Sequence, residues 1–355
     1  MIYSLIKKVL VFFLIFIFTN IALNYFFESY HDDIDYNNIY TVKKEFINQS
    51  PNKYNTLFFG SSRTYRQINP SVIDSICEKS NIKSFNFGSP GTFNPESNFL
   101  MNRALENNQL NQVKYVFLEL TAPITIEKEN YYVARGYYYI NLENLKLAVG
   151  YFFNNPKLNL FNKIKYSFPY VQGFILNHIF FIKPLKDRET ITNVCLGKNQ
   201  NGHYALDKDL EENNSKKLIA FRNDFLKDTT KLGERRKYAT ESTNHINLPY
   251  SNYLKNLVTE FNKNNIQLFF IIPPRVGELA SLSALKKDPL LCNRIIDITN
   301  SDKYPELYSF ENSFDIGHMN SKGANIYSVL LGNKINEIIS KKPNYLQADC
   351  STTLK

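Results

Sequence analysis

Short, continuously apolar runs alternate along much of the chain with longer segments in which apolar residues recur every three or four positions. Continuous runs are typical of strands buried on both faces of a sheet, and the wider spacing is typical of amphipathic helices. Five runs have the strand character: KYNTLFFG, IKSFNFGS, VKYVFLEL, IQLFFIIPP and the shorter PELYSFE. Strands that alternate with helices form βαβ units, so the pattern predicts an α/β fold with a parallel five-stranded sheet.

Capping signals mark several of the helices between these runs. Asn69 and Asn94 each precede a proline, Pro70 and Pro95, and a polar cap followed by proline is typical of the start of a helix. The segment SKGANIYSVLLGNKINEIIS has a continuous helical pattern and is predicted to be the closing helix.

The alternation is lost between the third and the fourth strand-like run. Residues 123–249 are rich in Tyr, Phe, Asn and Lys and are predicted to form a largely helical cap insertion. Within them, the polar residues 196–247 are predicted to lie mainly in loops. Residues 54–122 and 250–340 then form the domain that contains the sheet, and residues 341–355 form a C-terminal tail.

The N-terminal part of the chain carries one long apolar segment. Residues 9–27 span about 28 Å as a helix, which is close to the thickness of the hydrocarbon core of a bilayer. Lys7 and Lys8 precede this segment and acidic residues follow it, and positive charge stays on the cytoplasmic side of a membrane. Residues 9–27 are therefore predicted to be an uncleaved single-pass anchor. Residues 1–8 then lie in the cytoplasm, and residues 28–53 link the anchor to an exported domain.

Two alternatives concern the apolar segments. A cleaved signal peptide has a shorter apolar core and a cleavage site flanked by small residues, and Ala22 here offers no clean pair. The segment FILNHIFFI is too short to cross a bilayer, which leaves a core helix and an interfacial helix open. The bilayer remains the expected partner of residues 9–27.

The net charge of +9 is spread along the chain. No basic run or nucleic-acid motif concentrates it, so a solvated surface is favoured over nucleic-acid binding. The cysteines stand singly, without the spacing of a zinc site, and the sequence indicates neither a metal nor another cofactor. Disulfides and free thiols both stay open for Cys77, Cys195, Cys292 and Cys350.

Small hydroxyl residues follow the first strand-like run, and an Asp/His pair precedes the closing helix. Gly60, Ser61 and Ser62 stand where a strand leads into a helix, a position that suits either a plain turn or an exposed nucleophile. Asp315 and His318 are three residues apart, close enough on a turn for the carboxylate to orient the imidazole. Because the carboxyl ends of parallel strands share one sheet edge, these residues are expected to form a Ser–His–Asp triad.

Three motifs in this order, FFGSSR, FNFGSPG and DIGHMNSKGA, resemble those of the SGNH/GDSL hydrolase superfamily. The resemblance implies a three-layer α/β/α fold in which Ser62 is the nucleophile and Ser61 replaces the family's aspartate. It also implies that His318 is the base, that Asp315 orients it, and that the backbone N–H groups of Ser62 and Gly88 form the oxyanion hole.

The third motif of the family, Gly-x-Asn-Asp, is absent, because LELTAP stands in its place. The usual asparagine donor of the oxyanion hole is therefore missing, and Asn94 and Thr121 are candidates for that role and for substrate binding. Arg63 is a further candidate, since it could bind an anionic substrate group or pair with a carboxylate. Glu119 is expected to line the site or to pair with a basic residue. Arg275 is expected to shape the rim or to face the substrate.

With this departure, the chain resembles a membrane-anchored branch of the superfamily that works in the cell envelope. That branch includes proteins of teichoic acid D-alanylation and of alginate O-acetylation. The resemblance implies an esterase or O-acyltransferase in the periplasm or at the cell surface, whose substrate is an acylated glycan or glycolipid. A multi-pass membrane acyltransferase is then a candidate partner. The alternative is a non-catalytic envelope protein with this fold that binds glycan or assembles partners.

Overall fold

The chain folds into two compact units. The computed structural model describes residues 2–28, 38–105, 112–123, 139–180, 193–276 and 278–340. The first unit, called the anchor unit, consists of Met1–Thr41 and Ile124–Ile191, and the second, called the sheet unit, consists of Val42–Pro123 and Thr192–Lys355. The predicted insertion, residues 123–249, is therefore divided between the two units instead of forming one body.

A parallel sheet forms the centre of the sheet unit, as the apolar runs predicted. Its strands are β1 Thr56–Phe59, β2 Ser84–Asn86, β3 Tyr115–Glu119, β4 Gln267–Ile272 and β5 Ile295–Asp297. They lie in the order β2-β1-β3-β4-β5, which is the order of flavodoxin-like sheets. In such sheets the chain runs from β1 to β2 on one side and then crosses back to β3 on the other side of β1. A crevice opens at the carboxyl ends of β1 and β3, where the direction reverses.

The α-helices of the described residues are numbered in chain order. They are α1 Ile2–Glu28, α2 Asn38–Asn48, α3 Ser62–Gln67, α4 Pro70–Ile76, α5 Glu96–Leu105, α6 Leu142–Phe153, α7 Leu160–Ile175, α8 Leu206–Asn213, α9 Lys216–Lys227, α10 Thr230–Tyr238, α11 Leu248–Lys263, α12 Leu279–Ala284 and α13 Ser321–Ser340. Helix α5 packs against β1 and β3, α11 packs against β4, and α13 packs against α3 and α4. The closing helix α13 has the bounds that its pattern predicted.

Three phenylalanines in register hold the centre of the sheet together. Phe58 of β1 pairs with Phe117 of β3, which pairs in turn with Phe269 of β4. Their rings stack with centroid distances of 5.0 Å and 5.3 Å, because register partners point to the same face of the sheet. The same register brings Gly60, which follows β1, beside Glu119 at the end of β3.

The first four strands lie within the runs that predicted them, but the prediction of the fifth is wrong. PELYSFE forms two 3₁₀ turns, Pro305–Tyr308 and Phe310–Asn312, whereas the fifth strand is Ile295–Asp297. Pro305 suits the first position of a helical turn. The two isoleucines of β5 stand between Arg294 and Asp297, so this strand leaves no continuous apolar run in the sequence.

The prediction that residues 196–247 lie mainly in loops is also wrong, because this segment contains α8, α9 and α10. The residues that precede these helices, Ala205, Ser215 and Thr229, make no side-chain capping hydrogen bond. Ser215 and Thr229 are residue types that often cap helices, but here they stand among other polar residues and do not single out a helix start. By contrast, Asn69 accepts a hydrogen bond from the N–H of Ser71 and caps α4 as predicted.

The anchor unit contains the long apolar helix α1. Among the described residues, Ile2–Tyr25 is the one stretch that is long and apolar enough to cross a membrane. Near its end, the Asn24 side chain donates a hydrogen bond to the carbonyl of His178 at 3.4 Å. His178 lies in the π-helical turn Leu176–Phe180 that continues α7. The predicted linker, residues 28–53, contains α2, and its residues 29–37 lie outside the described part.

Candidate active site

Strand β1 leads into α3 through a turn that requires glycine. Gly60 has a φ of +158°, and a Cβ atom there would lie 2.3 Å from Thr64 Oγ1 and 2.5 Å from Glu119. Atoms cannot approach that closely, so any side chain at this position would displace the turn. The glycine at the end of the strand is therefore explained by the close approach of β3 and α3.

The buried carboxylate of Glu119 holds the residues on both sides of Ser62. Its Oε2 accepts hydrogen bonds from the N–H groups of Ser61 and Thr64 and from Thr64 Oγ1, at 2.9, 3.2 and 2.6 Å. Its Oε1 accepts a hydrogen bond from Ser61 Oγ at 2.7 Å. A carboxylate suits this place because the first N–H groups of a helix have no partner within it and carry partial positive charge.

The hydroxyl group of Ser61 is engaged both as an acceptor and as a donor. The oxygen accepts a hydrogen bond from the N–H of Arg63 at 3.1 Å, which makes Ser61 the cap of α3. The proton is donated to Glu119. Ser61 therefore serves the turn, and Ser62, the first residue of α3, is the hydroxyl that remains for chemistry.

The structure brings Ser62, His318 and Asp315 together. Ser62 Oγ lies 2.8 Å from His318 Nε2. His318 Nδ1 lies 2.9 Å and 3.0 Å from the two carboxylate oxygens of Asp315. This is the order of contacts that a hydroxyl nucleophile, a base and an orienting carboxylate require. The three side chains are partly buried, so the hydroxyl remains accessible to a substrate.

Asp315 is held as a carboxylate. Its Oδ1 also accepts hydrogen bonds from the N–H groups of Gly317 and His318, both at 2.7 Å. Burial by itself raises the pKa of this group, but the hydrogen bonds from the His318 ring and from the two N–H groups outweigh it and hold the pKa below its ordinary value of 3.8. An ionised Asp315 keeps the His318 proton on Nδ1, which leaves Nε2 to accept the proton of Ser62.

Arg275 holds the loop that carries Asp315 and His318. Its side chain is fully buried, and its Nη1 donates to the carbonyls of these two residues at 3.3 Å and 3.2 Å. Its Nε donates to the carbonyl of Leu307 at 2.8 Å. Burial lowers the pKa of Arg275 to about 10, so it stays charged at neutral pH. Of the two roles expected for Arg275, facing the substrate is wrong, because the side chain is buried and its donors are directed at backbone carbonyls.

A second arginine reaches the same loop from α9. Arg222 Nη1 donates to the carbonyls of Ser313 and Phe314 at 2.9 Å and 2.7 Å. Helix α9 belongs to the part of the predicted insertion that lies in the sheet unit. That part of the insertion therefore packs beside the candidate site.

Gly88 departs from the oxyanion role expected for it. Its N–H donates a hydrogen bond to Asn86 Oδ1 at 2.8 Å and is not free to bind an oxyanion in this arrangement. Its carbonyl accepts a hydrogen bond from the buried Lys43 at 2.7 Å. A Cβ atom at Gly88 would lie 2.3 Å from the backbone nitrogen of Tyr65. This glycine therefore allows the end of β2 to approach α3.

Asn94 and Thr121 form a buried cluster with Tyr250. The Asn94 side-chain amide donates to the Thr121 carbonyl at 2.6 Å and to the Tyr250 hydroxyl, and its backbone N–H donates to Thr121 Oγ1 at 2.9 Å. Both amide protons are then used, so Asn94 does not supply the missing oxyanion donor here. The first N–H of a helix has no acceptor within the helix. Ser62 has that position, and its N–H has no other acceptor in the described part of the chain.

Arg63 is the cationic side chain closest in sequence to Ser62. Its guanidinium makes no hydrogen bond or ion pair with any described residue, although its Nε is buried. Its Nη2 and Asp315 Oδ1 both lie near Gly317, each 3.6 Å from where a Cβ atom would lie. Burial lowers the pKa of Arg63, while the charge of Glu119 raises it and that of Arg235 lowers it further. Of the two roles considered for Arg63, the ion pair with a carboxylate is not formed.

The described residues do not assemble a metal site. No group of three or more His, Cys, Asp or Glu side chains among them is arranged to hold an ion. Cys77 and Cys195 are buried free thiols, and Cys292 is disulfide-bonded. Cys350 lies outside the described residues.

Sequence reasoning missed the roles of Glu119 and Arg275 in positioning the site, and it missed Arg222 altogether. A glutamate at the end of an otherwise apolar strand was a signal for Glu119, but its partners, two hydroxyl residues and two N–H groups, could not be read from the chain. Arg275 follows two prolines at the end of β4, and Arg222 lies in a segment predicted as loops. Neither arginine carries a local signal for a carbonyl partner many residues away.

Comparison with known proteins leaves the family open. No model of a protein family matches the chain, and no curated protein matches it in sequence. The three motifs and the geometry of the site are therefore the grounds on which its function is inferred.

Proposed function

We propose that the protein is a membrane-anchored serine esterase or O-acyltransferase of the SGNH type, acting on acyl esters of an envelope glycan or glycolipid. One observation carries the proposal: Ser62 Oγ lies 2.8 Å from His318 Nε2, and the opposite ring nitrogen lies 2.9 Å from Asp315. A hydroxyl, an imidazole and a buried carboxylate in this sequence of contacts support nucleophilic acyl transfer.

The reaction proceeds in two halves. Ser62 Oγ attacks the acyl carbonyl carbon while its proton passes to His318 Nε2. The tetrahedral intermediate then collapses, and the leaving alcohol takes the proton from His318, which leaves an acyl-serine ester. In the second half His318 removes a proton from the acceptor, which attacks the ester carbonyl carbon, and His318 returns that proton to Ser62 Oγ as the bond between Ser62 and the acyl group breaks. Water as acceptor makes the protein an esterase, and a sugar hydroxyl makes it an acyltransferase.

The oxyanion of the intermediate needs hydrogen-bond donors. The N–H of Ser62 supplies one, since it lies at the start of α3 beside the attacking oxygen. Gly88 supplies a second when its N–H exchanges Asn86 Oδ1 for the substrate oxygen. This exchange makes one donor dependent on the bound substrate.

A substrate with an anionic group near the ester fits Arg63. The guanidinium has no partner among the described residues and lies near Gly317, the residue before His318, and Arg235 increases the positive potential around it. An Arg63→Gln variant should show a raised KM for an ester that carries a carboxylate or phosphate, and an unchanged KM for its neutral counterpart. An equal change in KM for both esters would show that Arg63 does not bind an anionic group of the substrate.

The proposed fold of the sheet unit has three layers, with helices on both faces of the sheet. The proposed location of this unit is the outer side of the membrane. The apolar helix α1 supports a single-pass anchor, and Lys7 and Lys8 near its start favour a cytoplasmic N-terminus. The disulfide at Cys292 also favours an oxidising compartment. A multi-pass acyltransferase in the same membrane would supply the acyl group. A reporter active only outside the cytoplasm, fused after residue 355, should be active.

One observation favours a second candidate function, a non-catalytic protein that binds glycan or assembles partners. The Gly88 N–H is occupied and Asn94 has no free amide proton, so the oxyanion hole has few donors. This function requires the same cleft but no attack by Ser62.

A fluorophosphonate probe separates the two functions. The probe forms a covalent bond only with a serine that an adjacent base activates, and loses fluoride as it does so. The full-length protein in detergent should carry the adduct on Ser62. Ser61→Ala should keep most of the labelling, and His318→Ala should lose it. A folded protein without an adduct would favour the binding function, and an adduct on Ser61 would overturn the assignment of the nucleophile.

A further inference from the structure

Helix α7 of the anchor unit exposes a continuous apolar stripe. The stripe consists of Leu160, Phe161, Ile164, Phe168 and Ile175, which are 66%, 73%, 52%, 58% and 37% exposed. At 3.6 residues per turn, these positions fall within roughly 100° of one side of the helix. We call this stripe the outer face of α7.

The opposite side of α7 is also apolar and is already packed. Tyr170 and Gly173 are buried there, Phe152 of α6 contacts the Tyr170 ring, and Ile140 fills the space beside Gly173. A surface helix of a soluble domain presents polar residues opposite its buried side. Because α7 is apolar on both sides, its outer face requires an apolar environment of its own.

The charge around the outer face has one sign. Residues 139–180 contain four lysines and one acidic residue, Glu143. The lysines are Lys146, Lys157, Lys163 and Lys165. A segment with aromatic and aliphatic residues on one side and lysines around them is typical of helices that lie in a membrane interface. Anionic lipid headgroups complement these lysines, whereas a second copy of the same face would bring like charges together.

The position of α7 relative to α1 favours the same environment. The helix continues directly into Leu176–Phe180, where the carbonyl of His178 accepts a hydrogen bond from Asn24. Asn24 lies at the end of the stretch Ile2–Tyr25 that is long and apolar enough to cross a bilayer. The end of α7 therefore meets α1 where a membrane-spanning helix leaves the hydrocarbon core.

We propose that the outer face of α7 lies in the interface of the bilayer, with its apolar side chains among the acyl chains and its lysines at anionic headgroups. This inference rests on the membrane anchoring included in the proposed function. It adds a second attachment of the anchor unit to the membrane besides α1.

The absence of tryptophan from the chain makes a direct test available. Single-tryptophan variants Phe12→Trp, Phe168→Trp and Leu290→Trp place one fluorophore in α1, on the outer face of α7 and at an exposed apolar position of the sheet unit. Each full-length variant is reconstituted in vesicles of anionic and zwitterionic phospholipid whose acyl chains are brominated. Bromine quenches only a fluorophore among the acyl chains, and acrylamide quenches one in water.

Phe12→Trp and Phe168→Trp should be quenched by brominated lipid, and Leu290→Trp should be quenched by acrylamide. Changing Lys157, Lys163 and Lys165 to glutamine should weaken lipid quenching of Phe168→Trp in anionic vesicles and leave Phe12→Trp unchanged. Since Phe168 is exposed, the substitution should not unfold the protein. Phe161→Trp on the same face serves as a second probe.

If brominated lipid quenches Phe12→Trp but quenches neither Phe161→Trp nor Phe168→Trp, the inference is overturned and the membrane anchor remains. No lipid quenching at Phe12→Trp would overturn the anchoring itself. Protection of Phe168→Trp from both quenchers would assign the outer face to a protein partner or a second copy and would also overturn the inference. Equal lipid quenching at Leu290→Trp would show no preference for α7, with the same consequence.

Discussion

The two halves of the candidate site are held by groups of opposite charge. Residues 60–64, called the nucleophile turn, are held by the carboxylate of Glu119, which accepts hydrogen bonds from N–H and hydroxyl groups. Residues 313–318, called the histidine loop, are held by the guanidinium groups of Arg222 and Arg275, which donate to carbonyls. In both cases a charged side chain holds the segment: the two arginines bind backbone carbonyls, and Glu119 binds two backbone N–H groups and two hydroxyl groups.

The difference follows from which backbone groups each segment exposes. The nucleophile turn begins a helix, and the first N–H groups of a helix need an acceptor. The histidine loop directs carbonyls into the interior, and only donors satisfy them. A guanidinium suits that place because it carries five N–H donors in a fixed planar arrangement. The backbone groups that lack a local partner therefore determine the sign of the charge that can hold each of the two segments.

Removing either reacting group should break the junction between the two segments and have the largest effect. Ser62→Ala and His318→Ala should each lower kcat about 10⁴- to 10⁶-fold, because Ser62 can attack only when His318 accepts its proton. The double variant should be little worse than either single one. Steady-state kinetics on an acyl ester measures the loss, and thermal melting verifies folding. Independent, multiplicative losses would contradict a shared mechanism.

Asp315→Asn should have the next largest effect. The amide keeps the shape of the side chain but favours the wrong His318 tautomer, and a loss of about 10⁴-fold in kcat is expected. The rate of fluorophosphonate labelling should fall with kcat, while the KM should change little. A loss of less than tenfold would show that Asp315 does not orient the imidazole.

Arg275→Lys tests the cationic anchor of the histidine loop. Lysine keeps the charge but cannot reach the carbonyls of Leu307, Asp315 and His318 together, so a destabilisation of about 2–4 kcal/mol is expected. The kcat should fall more than the KM rises, because the histidine loop loses its position. Urea unfolding and kinetics measure the two effects. Full stability with unchanged kcat would exclude a positioning role for Arg275.

Glu119→Gln is the matched test of the anionic anchor. The amide keeps the size of the side chain and most of its acceptor geometry, so a smaller destabilisation of about 1–3 kcal/mol is expected. The kcat should fall with little change in KM, because Glu119 positions Ser62 indirectly, by its hydrogen bonds to Ser61 and Thr64. Glu119→Ala, which leaves all four donors without an acceptor, should be worse in both respects. Equal effects of the two substitutions would show that the hydrogen bonds do not hold the turn.

The smallest effect concerns the dependence of stability on pH. The pKa of Asp315 is lower in the folded protein than its ordinary value of 3.8, so its ionisation stabilises the fold. That contribution is fully present above pH 3.8 and is lost as the pH falls through the lowered pKa. The difference in unfolding free energy between the native protein and Asp315→Asn should therefore be constant near neutral pH and shrink in acid. A difference that grows in acid would reverse the assigned direction.

Local patterns predicted those parts of the site whose partners are close in the sequence. Asp315 and His318 are three residues apart, and Gly60 precedes Ser62 by two, so a single turn suffices to relate them. Four strands, the Asn69 cap and α13 were predicted for the same reason, because their signals are complete within a few residues. β5 was missed because charged residues flank its two isoleucines, and α8 to α10 were missed because helices this rich in polar residues leave little local signal.

The sequence by itself determined the α/β class, the apolar N-terminal helix and the identities of the candidate nucleophile, base and orienting carboxylate. Only the tertiary structure decided that the Ser61 hydroxyl donates to Glu119, that the Gly88 N–H donates to Asn86, and that Arg275 holds the histidine loop. These contacts join segments whose separation along the chain is set by the sheet order, and each satisfies a buried polar group that has no local partner. A local pattern records which residues prefer a helix or strand, but the partner of a buried donor or acceptor is selected by packing.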